Sequence, residues 1–324
     1  MQNTKWLCFS MLLFVAVSVT PLAPLRAQTS APSSSSLPFT LKPLGNNVYA
    51  AIDDAKGDAG ANAGFVIGDN GVLVIDTFEN ETAATQLLAE IRKLTKLPVK
   101  FVVNTHYHID HVAGNKVFAG AGAVIVAHEN VAGWIHTENL KFFGKNIKPE
   151  EKAMVEGLNA PDILYKSSIE FSLGARRILV SFAPGHTGGD SLVSIADAHV
   201  LFCGDLFWRK TLPNLIDAST KDWTDTLAQI GKNADSAAIY VPGHGDVGNA
   251  SDVAEFRDYL NDLRAIVKKS VDEGKSGDDL VNAAMPSLKE KYGKWNFFDY
   301  FAKPNILDMA AELRGTKRIP KAGV

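Results

Sequence analysis

Apolar and polar positions along this chain change period several times. Short apolar runs at 48–52, 64–67 and 72–75 read as strands, and Asp69-Asn70-Gly71 between the last two is a tight-turn signal that predicts a hairpin. The spacing of Ala84, Leu87, Leu88, Ile91 and Leu94 predicts a helix over 81–94. A strand at 100–104, a helix near 113–119 and a strand at 124–127 follow, and 129–160 is helical but irregular around Trp134, Phe142 and Phe143. The second half uses the same grammar without repeating the sequence. Strands are expected at 169–171, 177–182, 191–195 and 199–202, then a helix at 223–230 and a strand at 238–241. A long helix over 251–270 carries Val253, Phe256, Leu260, Leu263 and Val267 on one stripe, and the tail 276–324 reads as helical. Hairpins followed by strand–helix alternation, twice over, predict an α/β (α+β) chain: two mixed β-sheets packed together and flanked by helices.

Composition changes this picture at the ends. Lys5, a nearly unbroken apolar stretch over 6–19, Pro21, Pro24 and the small Ala27 read as a secretory signal peptide over 1–27. That stretch is short for a membrane span, so no stable membrane insertion is expected after cleavage, and the expected location is periplasmic or secreted. Residues 28–38 are Ser/Pro/Ala-rich and read as a flexible leader. A main domain over 39–270 and a helical C-terminal extension over 271–324, packed on it, complete the organisation. Loss of 1–27 removes Lys5 and Arg26 but no acid, taking the formal net charge from −3 to −5. A chain with no basic excess is not expected to bind nucleic acid. Cys8 leaves with the signal, so Cys203 stands alone and no intrachain disulfide is available.

The chemistry concentrates in His106-Tyr107-His108-Ile109-Asp110-His111, four metal-capable side chains within six residues, directly after an apolar strand. Three more such groups follow apolar strands and neighbour a glycine: His186 in APGHTGGD, Asp205 in LFCGDLF and His244 in VPGHGD. Glycine allows the tight turns and close approaches such loops need. His128, His136 and His199 lack this context and read as structural or surface residues.

Together with Asp76 in VIDT and in this order, these pieces resemble the metallo-β-lactamase superfamily, across about residues 45–260. The resemblance implies an αββα sandwich with a two-metal site along one edge of the sheets. It implies that His106, His108 and His186 bind one metal, that Asp110, His111 and His244 bind a second, and that Asp205 bridges them. Imidazole and carboxylate ligands suit two Zn2+ ions, with manganese or iron as alternatives. Such a pair supplies a bridging hydroxide for attack on a small-molecule carbonyl, with Asp110 also orienting the nucleophile or relaying its proton. Asp76, Thr105, Thr187 and Asp190 are expected to orient ligating imidazoles or to cap turns.

The stretch from Pro213 and the VPGHGDVGNASDV segment resemble class B β-lactamases. There Asn214 occupies the place of a substrate-facing asparagine and the loop 55–64, with KGDAGANAG, matches a mobile flap. Arg209 and Lys210 stand where they would meet a substrate carboxylate or simply lie on the surface. His111 and Asp205 depart from that class, which has a ligating cysteine in the place of Asp205; Cys203 is expected in the core or at the rim, although strand alternation would point it to the side of Asp205. The expected function is therefore an exported dinuclear-zinc hydrolase, β-lactamase-like. The alternatives are a lactonase, a thioesterase of the glyoxalase II type or another esterase, and an accessory metal-binding periplasmic protein without catalysis.

Overall fold

The structure is a computed structural model, and it describes residues 36–54, 56–232 and 235–320. The predicted signal over 1–27 and most of the leader over 28–38 lie outside the described residues.

Seven strands form the first sheet: β1 (Phe39–Gly45), β2 (Val48–Asp53), β3 (Ala63–Ile67), β4 (Val72–Ile75), β5 (Val99–Val103), β6 (Val124–His128) and β7 (Ile163–Tyr165), side by side in that order. The β1–β4 pairings are antiparallel hairpins, and β4 through β7 run parallel. The parallel half needs helical crossovers. These are α1 (Glu81–Leu94), then α2 (Ile109–Val112) with α3 (Asn115–Gly120), then α4 (Glu129–Trp134), a 3₁₀ turn and α5 (Pro149–Glu156). Helix α1 starts where the Asn80 side chain accepts from the Ala83 N–H at 2.8 Å, and it buries Ala83, Ala84, Leu87, Leu88 and Ile91 on the sheet.

The second sheet has the order β12-β11-β10-β9-β8, from β8 (Ser168–Leu173), β9 (Arg176–Phe182), β10 (Ser191–Ile195), β11 (Val200–Trp208) and β12 (Ile239–His244). Only β11 and β12 pair in parallel, across α6 (Thr220–Lys232). The chain ends in α7 (Ala250–Asp272), α8 (Gly277–Tyr292) and α9 (Phe298–Leu313). No helix among the described residues is long and apolar enough to cross a membrane.

Alternation decides what faces what. Leu73 and Ile75 of β4 point between the sheets, towards Phe171, Val180 and Phe202, while Val72 and Val74 pack outward on α1. A third core joins Leu206 and Phe207 to α6 and to the three C-terminal helices. The layers are helix, sheet, sheet, helix, as expected from the sequence.

Several local features differ from the sequence reading. The strand β1 was not foreseen, because Pro43 interrupts its pattern; as an edge strand with one buried face it tolerates the proline. The expected helix near 113–119 is two short helices, and the first begins inside the histidine motif at Ile109. The strand expected to end at 202 continues to Trp208, so Asp205 lies within β11 rather than in a loop beyond it. Gly204, with φ +50°, kinks this strand beside Thr105, where a Cβ would sit 2.5 Å from the hydroxyl.

Candidate metal centre

The ends of β5, β11 and β12 and the start of α2 converge at one edge of the sandwich. There the seven sequence-selected His and Asp side chains meet in two clusters. His106, His108, His186 and Asp205 form one, and Asp110, His111 and His244 the other, with potential ligand atoms within 4.8 Å of one another in each. Asp205 faces both. Its Oδ2 lies 3.2 Å from His186 Nε2 and 3.7 Å from His106 Nε2, and its Oδ1 lies 3.1 Å from His111 Nε2 and 3.5 Å from His244 Nε2. Asp110 Oδ2 sits 3.3 Å from His244 Nε2 and 3.5 Å from His111 Nε2. Gly243 makes room for this carboxylate: a Cβ there would fall 1.8 Å from Asp205 Oδ1.

Four of the inward atoms are orphans. His106 Nε2, His111 Nε2, His244 Nε2 and Asp205 Oδ1 are buried without a hydrogen-bond partner. Several unpaired buried acceptors converging on two points are costly unless cations fill them. The donor set therefore fits a metal site.

On His106 and His111 the outward atoms are held. Thr105 Oγ1 is 3.1 Å from His106 Nδ1, and Asp76 Oδ2 is 2.9 Å from His111 Nδ1. Asp76 also accepts from Thr105 N–H and Oγ1–H, each at 2.7 Å. This fixes which ring nitrogen faces inward. Asp76 itself has φ +55°, a left-handed backbone uncommon for a side-chain-bearing residue and stabilised here by those three bonds. His244 stacks on Trp208 with centroids 3.9 Å apart.

Sequence reasoning missed the partner of His108. Asp217 Oδ2 lies 3.0 Å from His108 Nε2, which leaves Nδ1 facing the cluster. Asp217 is buried and also accepts from Tyr107 Oη–H and Lys141 Nζ. Nothing in the sequence spacing singles out Asp217; only the fold brings it 109 residues back to His108. Thr187 and Asp190 contact no imidazole. They bond each other, with the Thr187 N–H donating to Asp190 Oδ2 at 2.7 Å, and so close the turn that carries His186.

Electrostatics separates the clusters. Burial, with the positive field of neighbouring imidazoles, pushes His106 well below the ordinary histidine range and His186 down to about 3. In the other cluster burial acts in the same sense, but the carboxylates of Asp205 and Asp110 outweigh it: His244 rises to about 9 and His111 well above its usual value. Burial would raise Asp205 and Asp110, yet the surrounding imidazoles hold both well below the carboxylate range.

A cleft of 450 Å³ opens onto these residues. Asn214 lines it, half-buried; its Oδ1 accepts from Ile216 N–H at 2.9 Å, and its Nδ2 has no bonded partner among the described residues. Arg209 and Lys210 pair with Asp252 at 3.2 Å and with Glu255, and neither lines the cleft. In the loop expected to match a flap, Asn62 Nδ2 donates to the carbonyls of Pro242 and Gly245 at 2.9 and 2.8 Å, and Ala59 and Ala61 are fully buried. Cys203 packs with Leu206 and Phe207 in the outer core and joins neither cluster, because the kink at Gly204 breaks the alternation that would have aligned it with Asp205. His128, His136 and His199 bond Lys166 O, Leu158 O and Asp235, away from the centre.

Comparison with known proteins agrees with this fold. The profile of the "Metallo-beta-lactamase superfamily" matches residues 57–244. The metallo-beta-lactamase type 2 of Bacteroides fragilis is 22% identical over 80% of this chain and 96% of its own. A linear primary-alkylsulfatase of a Pseudomonas species is 24% identical over 69% of this chain, which spans only 51% of that longer relative. A hydroxyacylglutathione hydrolase of Gloeobacter violaceus is 26% identical over 56% of this chain and 66% of its own. Among solved structures, a metallo-beta-lactamase from Pontibacter korlensis superposes with a TM-score of 0.57 at 24% identity, covering 69% of this chain and 99% of that one. With more than half of its length matched by the family profile and the same sandwich around a His/Asp metal site, this chain belongs to the metallo-β-lactamase superfamily, whose members are metal-dependent hydrolases.

Proposed function

We propose that this protein is an exported hydrolase that holds two zinc ions and cleaves the acyl bond beside a carbonyl in a small molecule, with the ring amide of a β-lactam as one such bond. One observation carries the reading. The two oxygens of Asp205 are divided between the clusters, Oδ2 to His106 and His186 and Oδ1 to His111 and His244, as a bridging carboxylate requires. His106 Nε2, His108 Nδ1 and His186 Nε2 would hold one ion, and Asp110, His111 and His244 the other. Bound there, a pair of divalent cations supplies Lewis acidity and a nucleophile at neutral pH.

The chain's own groups do the rest. Asp110, half-buried at the cleft floor, orients the attacking water and accepts its proton at Oδ2. Asn214 Nδ2 donates to the carbonyl oxygen as negative charge develops on it. Support for export is the charged, apolar, then small-residue order of 1–27.

A second reading, hydrolysis of a lactone, ester or thioester on the same ions, is favoured by the withdrawal of Cys203 into the core, since the resemblance to class B β-lactamases implies a thiolate ligand. The relatives are named for an alkylsulfate, a β-lactam and a hydroxyacylglutathione, so hydrolysis is common to them and the substrate is not. The test is elemental analysis joined to a panel of a chromogenic cephalosporin, an aromatic lactone, a carboxylic ester and a thioester, with and without chelator. Two metal equivalents and chelator-sensitive turnover are expected. A firm limit of one equivalent, or no turnover of any carbonyl substrate by the two-metal protein, overturns the proposal.

A further inference from the structure

The mouth of the cleft is made by residues far from the histidine motifs. Phe297, Tyr300 and Phe301, at and just after the start of α9, line this cleft together with Phe142 and Trp208. All three α9 residues lie beyond the 57–244 segment that the family profile matches. Phe301 packs edge-on to Trp208 with centroids 6.3 Å apart, and Trp208 in turn stacks on His244. The aromatic wall is thus continuous from a candidate ligand to the surface.

This wall is placed by several tethers. The Asn296 N–H donates to Lys210 O and the Leu212 N–H to Asn296 O, both at 2.9 Å. Between this clamp and α9 stands Phe297 with φ +59°, a left-handed conformation that a bulky residue rarely adopts without surrounding constraint. Buried Asn305 donates to Pro213 O at 2.9 Å, tying α9 to the turn that carries Asn214. In spite of this anchoring, Phe297 is 53% exposed and Tyr300 73% exposed. Rings fixed at a pocket mouth and left in water offer apolar surface to a ligand.

Charge narrows the ligand. No Lys or Arg lines the cleft, and the nearby Arg209 and Lys210 are engaged by Asp252 and Glu255. Glu79 stands on the wall beside Gly60 and makes no direct ion pair with a Lys or Arg among the described residues. At this wall, away from the ions that the floor would hold, a substrate whose non-reacting part is anionic would meet the Glu79 carboxylate and no Lys or Arg.

We propose that the start of α9 is the specificity wall of this enzyme, and that the substrate carries an uncharged aromatic group, seated on Phe297, Tyr300 and Phe301, next to its hydrolysable carbonyl. This deepens the hydrolytic reading and rests on it for the word substrate. The test separates the two by measuring binding without turnover. Calorimetric titration of the metal-loaded protein with N-benzylacetamide, an amide that reacts slowly, is compared with 4-(acetamidomethyl)benzoate, the same group bearing a carboxylate. The neutral ligand is expected to bind at least about tenfold more tightly. Tyr300→Ala, at a residue too exposed to support the fold, should weaken it about five- to twentyfold, and Tyr300→Phe should restore it. Leu307→Ala, on the same helix but away from the cleft, should leave binding as in the parent. Among esters of one alcohol, the ratio of kcat/KM for phenylacetyl over acetyl should fall with Tyr300→Ala through KM. Equal or tighter binding of the carboxylate, or unchanged binding in Tyr300→Ala, overturns the wall. Selective binding without turnover of any carbonyl substrate leaves the wall standing as a ligand site and removes the hydrolytic reading alone.

Discussion

The floor and the mouth of the cleft are built on opposite principles. The floor is seven His and Asp side chains on strand ends and a helix start, mostly buried, with three of its imidazoles pinned from behind by Thr105, Asp217 and Asp76 and a fourth stacked on Trp208. The mouth is aromatic rings at the start of a C-terminal helix, Phe297 and Tyr300 exposed, which pack on Phe301 and through it on Trp208 and are tethered through Asn296 and Asn305. A floor of this kind fixes what chemistry is possible, because misplacing a ligand loses the ion. A mouth of this kind fixes what enters, and it can change without disturbing the floor. Perturbations of the two regions should therefore separate: one in metal content and rate, the other in affinity and substrate choice.

The largest effect is expected at the centre of the floor. Asp205→Asn removes a charge shared by two clusters and leaves the imidazoles of both facing a neutral amide. Metal content should drop by at least one equivalent and kcat by on the order of 10³-fold or more, beyond the 10–100-fold typical of losing an outer partner. Asp110→Asn keeps an oxygen donor and loses only the proton acceptor, so its rate should fall by about 10²–10⁴-fold while metal content falls less. Elemental analysis beside steady-state kinetics distinguishes them. Full metal and near-full turnover in Asp110→Asn would return that residue to a structural role.

A smaller effect is expected one step behind the floor. Asp217→Asn keeps the shape but removes the charge that accepts from His108, Tyr107 and Lys141. The Asp217 carboxyl is buried, which would raise it, but His108 and Lys141 outweigh this and hold it well below the usual carboxylate range. The substitution should cost about 10–100-fold in affinity for the ion held by His108, read by chelator competition, with little change in the affinity of the other cluster. Equal weakening of both would mean that Asp217 acts by supporting the whole edge rather than one imidazole.

The two regions also differ in how far the sequence reveals them. Ligand chemistry needs particular residue types at particular spacings, so the HxHxDH run, GHT, GD and GH stood out before any fold was known. The layered sandwich followed from apolar periods of two and 3.6. What was hidden depends on long-range placement. Asp217 is one aspartate among many until the fold sets it against His108. The aromatic residues at 297–301 read by pattern only as part of a helical tail, and it is the fold, with its tethers at Asn296 and Asn305, that brings Phe297, Tyr300 and Phe301 to the opening. The alternation argument for Cys203 failed for a local reason: one glycine at φ +50° resets the strand between Cys203 and Asp205.

That thiol gives the smallest expected effect, and it tests whether the floor is complete with seven groups. Cys203 is 1% exposed among Leu206, Phe207 and other core side chains, and burial pushes its thiol up, away from the thiolate that a metal would need. Cys203→Ser exchanges sulfur for a smaller, more polar hydroxyl in an apolar setting. The expected cost is stability, about 1–3 kcal/mol by denaturant titration, with metal content unchanged and kcat/KM within a few-fold. Cys203→Ala, which buries no hydroxyl, should recover part of that stability and behave the same towards metal. Loss of a metal equivalent in both variants would place the sulfur in the second cluster, and the division between a complete polar floor and a separate apolar mouth would then have to be redrawn at β11.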